Sequence, residues 1–271
     1  MKSLLFTARP ETAVKIPIPG TSLHINAILR DNWSQPVAIL LHGLPASSNS
    51  HLPFFTAKLL PEHGFATLRV NLYNEEPDTR DMIDCLLQTH ADDLDTIVRF
   101  VRAQGAPQVM AAGHSYGGLT ILRSTEKLDG AVLWDPSHFE CSKEFDEKRQ
   151  QTRHAILQKE GATVYLAGMG RVEPLAMVNE RLKYEDLPEE ELARKDYRLL
   201  FIAAGKGDLK PYVQKYYEAA NQPKQHVVIQ NATHALNDSD EILFELLEET
   251  ATWLQACRAE KPKSQSPLTD Q

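Results

Sequence analysis

The segment Gln108-Val109-Met110-Ala111-Ala112-Gly113-His114-Ser115-Tyr116-Gly117-Gly118-Leu119 decides how the whole chain is read. Val109 to Ala112 is a short apolar run of the kind that forms a buried strand. Gly118 to Ser124 reads as a helix, and G-x-S-x-G stands between the two. A glycine-serine-glycine pattern is common by chance, but one that ends a strand and opens a helix marks a nucleophile elbow. On so tight a turn the serine backbone is strained and its hydroxyl stands clear at the strand end. Side chains two residues before and two after would collide with it, so both positions must be nearly bare. They are Gly113 and Gly117.

Outward from this segment the chain alternates between strands and helices. Val37 to Leu41 is a continuous apolar run that ends in His42-Gly43-Leu44-Pro45. His51 to His63 reads as a helix closed by Gly64, and Ala66 to Leu72 as a strand. Leu94, Ile97, Val98 and Val101 step by three and four along a helix that Gly105 and Pro107 stop. Gly130 to Trp134 is a strand ending at Asp135-Pro136. Later come a strand at Leu199 to Ala204, a helix at Pro211 to Ala220 and a strand at Gln225 to Ile229. In the last helix Ile242, Leu243, Leu246, Leu247, Trp253, Leu254 and Cys257 share one face, and Asp238 with Glu241 supplies a start like a capping box. Ahead of Val37, residues 11–30 alternate in part and break at Pro19-Gly20, which predicts two antiparallel strands at one sheet edge. The pattern as a whole implies an α/β fold, a mostly parallel sheet with helices on both faces. Ligands of such sheets bind beyond the carboxyl ends of the strands.

The alternation is interrupted from Ser137 to about Tyr197, a highly charged segment with a less polar middle from Ala162 to Val178. It reads as an inserted, mainly helical cap rather than an independent domain. The expected organisation is therefore a core of residues 1–136 and 198–259, a cap of residues 137–197, and a polar, disordered tail of residues 260–271.

At 271 residues the chain can bury a substantial core. A net charge of −8 gives no electrostatic reason to bind nucleic acid or anionic membrane. Cys85, Cys141 and Cys257 lie far apart without a C-x-x-C, which indicates neither a disulfide framework nor a zinc site. The stretch Asn74 to Asp84 is rich in Glu and Asp, but it lacks ordered metal-ligand spacing and reads as a solvated loop. The first residues are too short an apolar run for a signal sequence, and no stretch approaches a membrane span. The expected location is cytoplasmic.

A serine hydroxyl needs a base within hydrogen-bond reach and a third group to orient that base. His234 is the best base, because it follows the strand Val227 to Ile229 after a short polar loop and precedes the last helix. His226 lies in or at the start of its strand and reads as packing. His42 and His114 read as braces of the neighbouring loop and elbow, while His138 stays unassigned. For the orienting acid, Asp208 follows the strand Leu199 to Ala204 through Gly205-Lys206-Gly207. Asp135, which ends the preceding strand, is its rival, but Asp-Pro is also a common turn opening. Gly205-x-Gly207 after a strand is also the start of a dinucleotide-loop pattern, but Lys210 at the third glycine position argues against that reading. Backbone N–H groups of Tyr116 and Leu44 are placed to receive an oxyanion.

On His42-Gly43-Leu44-Pro45, Gly113-His114-Ser115-Tyr116-Gly117-Gly118, Gly205-x-x-Asp208 and His234, the chain resembles the serine α/β-hydrolases over nearly its whole length. The resemblance implies a triad of Ser115, Asp208 and His234, with Leu44 and Tyr116 as oxyanion donors. It also implies a cap at residues 137–197 and no metal or organic cofactor. Epoxide hydrolase and dehalogenase relatives share an H-G-x-P loop but carry aspartate at the elbow, and serine here argues against both chemistries. Where many relatives have a glycine-rich loop after the strand at Ala66 to Leu72, this chain has Asn74-Glu75-Glu76-Pro77. That side of the pocket is expected to depart from the usual shape.

The implied activity is hydrolysis of a small or medium-sized carboxylic ester through an acyl-enzyme on Ser115. A thioesterase or aminopeptidase would use the same triad, and a non-catalytic binding protein could stand on the same fold. Met169, Leu175, Met177 and Val178 in the cap could line an acyl pocket.

Overall fold

A computed structural model describes residues 6–74, 76–82, 85–138, 163–166, 170–174, 180 and 188–259. The strands are β1 (Glu11–Pro17), β2 (His24–Arg30), β3 (Val37–Leu41), β4 (Ala66–Asn71), β5 (Val109–His114), β6 (Gly130–Trp134), β7 (Thr163–Leu166), β8 (Gly170–Pro174), β9 (Leu199–Ala204) and β10 (Lys224–Ile229). The α-helices are α1 (His51–Leu59), α2 (Leu87–Ala103), α3 (Tyr116–Arg123), α4 (Pro188–Leu192), α5 (Lys210–Ala219) and α6 (Asp240–Ala259). A 3₁₀ turn at Leu60–His63 extends α1 and closes at Gly64, whose φ of 80° suits glycine.

Eight strands form one sheet in the order β1-β2-β4-β3-β5-β6-β9-β10. β1 pairs antiparallel with β2, and β2 with β4, at one edge, as the break at Pro19-Gly20 predicts. From β4 to β10 every pairing is parallel. The central strands β3, β6 and β9 are buried at every position, which explains why they read as unbroken apolar runs. Alternate residues face opposite layers. Val37, Ile39 and Leu41 meet Leu94, Ile97 and Val98 of α2 and Ile121 of α3. Ala38 and Leu40 belong to the other layer, with Leu52 of α1 and Leu246, Leu247 and Leu254 of α6.

One local expectation changes. The acidic cap of the last helix is not Asp238: Ser239 Oγ accepts the Ile242 N–H at 3.3 Å. Asp238 instead takes the Thr233 N–H and hydroxyl at 2.8 and 2.6 Å, bracing the loop that carries His234. Within residues 137–197, the described residues include an antiparallel strand pair, β7 with β8, and the short α4. Glu180 from this segment caps the core helix α2, its carboxylate accepting the N–H groups of Leu87 and Gln88 at 2.6 and 3.2 Å. The other expectations for this stretch, with Met169, Leu175, Met177, Val178 and the tail at residues 260–271, lie outside the described residues.

Candidate active site

β5 delivers the serine. Ser115 has φ 53° and ψ −115°, a conformation costing a non-glycine residue about 1–3 kcal/mol. It is held there by its own backbone: its N–H donates to the Trp134 carbonyl, and its carbonyl accepts from Gly118, Leu119 and Ser137. The glycines are required, but not because of the serine side chain. A Cβ on Gly113 would stand 2.6 Å from the Gly117 carbonyl group, and one on Gly117 would stand 2.6 Å from the His42 oxygen. The two bare positions let the turn close on itself and press against the end of β3.

β10 delivers the imidazole. Its last residue, Ile229, runs into a short loop, and His234 Nε2 lies 2.9 Å from Ser115 Oγ. The expected pair of Ser115 and His234 is therefore brought together. The carboxylate on His234 Nδ1 is Asp135's, with Oδ2 at 2.6 Å, and not Asp208's. Asp135 follows β6 directly with φ 42°, and its N–H donates to Ile202 O of β9 at 2.7 Å. From there its side chain crosses the end of β9, where Oδ1 accepts the Ala204 N–H at 3.0 Å. The end of β9 thus supplies a donor to the carboxylate beside His234 rather than that carboxylate. Beyond Ala204 the chain is laced to the β10 loop, Gly205 N–H to Ile229 O and Lys206 N–H to Ala232 O, both at 2.9 Å. Asp208 emerges on the exposed side of that turn.

Protonation follows from these partners. Buried Asp135 as a carboxylate can only accept, so the proton of the neutral ring sits on His234 Nδ1. Nε2 is then bare and accepts a hydrogen bond from the Ser115 hydroxyl.

His114 and His42 are braces. His114 Nε2 donates to the His234 carbonyl at 2.8 Å, and the two rings lie 4.8 Å apart. Burial holds His114 down to about 3, so its ring stays neutral. His42 accepts the Leu72 N–H at Nε2 and donates from Nδ1 to Gly43 O, fixing the loop that carries Leu44; burial lowers it to about 4. His138 is buried against the rings of Tyr212 and Tyr216, and His226 stacks on Tyr217, as packing.

Tyr116 opens α3 directly after Ser115. Leu44 packs against the small cluster of Cys85, Leu87, Tyr116 and Leu119, so both expected oxyanion donors border the same patch. A cavity of about 420 Å³ opens at the far end of α3, lined by Gln88, Arg123, Lys195 and Tyr197 among others. It is separated from Ser115 by that eight-residue helix, roughly 12 Å. Among the described residues no group of His, Cys, Asp and Glu gathers as a metal site, and no helix is long and apolar enough to cross a membrane.

One residue at the centre escapes the sequence reading. Ser137 Oγ lies 3.0 Å from Ser115 Oγ. The signal for it was its place two residues after Asp135, at the carboxyl end of β6.

Among solved structures, the chain is similar to Est1E from Butyrivibrio proteoclasticus with ferulic acid bound, at 17% identity and a TM-score of 0.71, over 92% of this chain and 100% of that one. It is similar to a dienelactone hydrolase from Anabaena variabilis at 14% identity and a TM-score of 0.64, over 92% and 98%. The mouse alpha/beta hydrolase domain-containing protein 10 matches at 13% identity and a TM-score of 0.69, over 90% and 99%. At these identities the likeness speaks to the fold. No protein of curated function matches by sequence. The sequence model of the alpha/beta hydrolase family matches residues 38–246, a span from the β3 strand into the last helix, and the chain belongs to that family.

Proposed function

We propose that this protein hydrolyses a small or medium-sized carboxylic ester through an acyl-enzyme on Ser115. His234 is the base, and Asp135 takes the orienting role that the sequence suggested for Asp208. One observation carries the reading: an unbroken hydrogen-bond line from Ser115 Oγ through His234 to the buried Asp135, at 2.9 and 2.6 Å. Family membership supports a hydrolase, and esterases stand among the structural neighbours.

In this reading Ser115 Oγ attacks the ester carbonyl carbon while its proton passes to His234 Nε2. Asp135 stabilises the imidazolium that forms. The carbonyl oxygen, now an anion, is received by the N–H groups of Tyr116 and Leu44, each worth about 3 kcal/mol in such a state. His234 returns the proton to the leaving alcohol. Water, activated by the same ring, then frees the acid. No step calls for a metal or an organic cofactor.

Labelling with a fluorophosphonate probe tests this. The probe is expected to mark Ser115, and Ser115→Ala is expected to lose both the mark and turnover of p-nitrophenyl esters. An unlabelled protein that binds an ester-like molecule tightly without cleaving it would instead be a receptor on this fold.

A further inference from the structure

The hydroxyl of Ser137 touches the proposed nucleophile, and the proton count decides what it does there. Ser115 has one proton and two partners on Oγ, His234 Nε2 at 2.9 Å and Ser137 Oγ at 3.0 Å. Nε2 of the neutral ring is bare, because the ring proton faces Asp135, so the Ser115 proton goes to Nε2. The contact at 3.0 Å can then be made only with Ser137 as donor.

Ser137 is itself fixed on both sides of its Cα. Its N–H donates to Ser115 O at 3.0 Å, and its carbonyl accepts from the hydroxyl of buried Tyr216 on α5 at 2.8 Å. A hydroxyl held in this way does not need to search for the nucleophile.

Resting on the reading of Ser115 as nucleophile, we propose that Ser137 is a positioning residue, which donates its O–H to Ser115 Oγ and keeps the nucleophile's own proton aimed at His234. It fills one lone pair of Oγ and fixes the rotation of the Ser115 hydroxyl. As the proton moves to His234, negative charge builds on Oγ, and the bond from Ser137 strengthens as a charge-assisted one. Ser137 keeps its proton throughout, and the only proton transferred is that of Ser115.

The test is the rate of fluorophosphonate labelling together with kcat and KM for a p-nitrophenyl ester, in the parent and in Ser137→Ala, Ser137→Cys and Ser137→Thr. Loss of one hydrogen bond predicts labelling and kcat about tenfold slower in Ser137→Ala, with KM unchanged within twofold. Ser137→Cys, close in size but a weak donor, is expected to fall as far. Ser137→Thr, which keeps the hydroxyl, is expected to recover most of the rate, and a purely structural role would not sort the variants by donor strength. If Ser137→Ala labels and turns over at the parent rate, the positioning role is overturned while the Ser115 reading stands. If the parent itself is not labelled at Ser115, the hydrolase reading fails and this inference falls with it.

Discussion

Asp135 Oδ2 stands 2.6 Å from His234 Nδ1 although 99 residues separate the two in sequence. The strand between them, β9, closes the gap by giving its Ala204 N–H to the other carboxylate oxygen. The acid is thereby aimed from both sides. Asp135→Asn is expected to cut kcat on an activated ester by about 10³- to 10⁴-fold, because an amide can present its NH₂ to Nδ1 and leave the ring in the wrong tautomer. Asp208→Asn, at an exposed position, is expected to stay within about twofold of the parent. Steady-state kinetics of the two variants, with melting curves to show that both fold, decide between them. Damage confined to Asp208→Asn would reverse the assignment.

The sequence made the sheet legible because burial on both faces leaves a one-dimensional trace. β3, β6 and β9 are apolar throughout, and glycine marks where backbones press together around Ser115. The pairing of Ser115 with His234 followed from both residues lying just past parallel strands. Asp135 was harder to choose, since its reach depends on a φ of 42° and on the side chain crossing a neighbouring strand end, neither of which is written in Asp-Pro. Asp208 follows β9 as His234 follows β10, but the turn at Gly205 to Gly207 is fastened to the β10 loop and leaves Asp208 exposed. Ser137 needed knowledge of where the β6 end lies relative to the elbow.

The same fastening makes Gly205 sensitive. A Cβ there would come within 2.3 Å of the Gln230 carbonyl oxygen, a backbone atom that cannot swing aside. Gly205→Ala is expected to cost about 2–4 kcal/mol in urea unfolding, a range set by overpacking together with the strain of moving the backbone. Because Gln230 begins the loop leading to His234, kcat is expected to fall as well. Gly20→Ala offers the contrast, since its added methyl meets nothing within 4 Å and only its φ of 77° is unfavourable. Its expected cost is about 1 kcal/mol, with activity unchanged. Equal losses in the two variants would contradict the close approach at Gly205.

Three histidine rings are expected to weaken the fold in acid. His42 is lowered from 6.5 to about 4, and His90 and His114 to about 3, in each case chiefly by burial. Between these values the unfolded chain binds protons that the folded chain refuses, so stability falls as pH drops below 6.5. At pH 5 each ring contributes a loss of about 2 kcal/mol relative to neutral pH. His90 is the cleanest to test, as neither ring nitrogen has a hydrogen-bond partner among the described residues, and its ring lies between Tyr73 and Tyr116. His90→Phe keeps a ring there and removes the titration. Urea midpoints at pH 7 and pH 5 are expected to lie closer together in the variant than in the parent. An unchanged gap would mean that His90 does not resist protonation in the folded state.

The strain at Ser115 is measurable apart from any chemistry. At φ 53° and ψ −115° a Cβ is unfavourable whatever lies beyond it, so alanine at this position inherits the strain and glycine does not. Ser115→Ala and Ser115→Gly both lack the hydroxyl and therefore lose the same bonds to His234 and Ser137. Their difference isolates the backbone. At an ordinary helix-entry position alanine is the less flexible residue in the unfolded chain, which favours it over glycine by about 0.4–1 kcal/mol. Here the order is expected to invert, with Ser115→Gly more stable than Ser115→Ala by about 1 kcal/mol in urea unfolding. Alanine proving the more stable of the two would mean that the elbow stores no strain, and that Gly113 and Gly117 alone shape the turn.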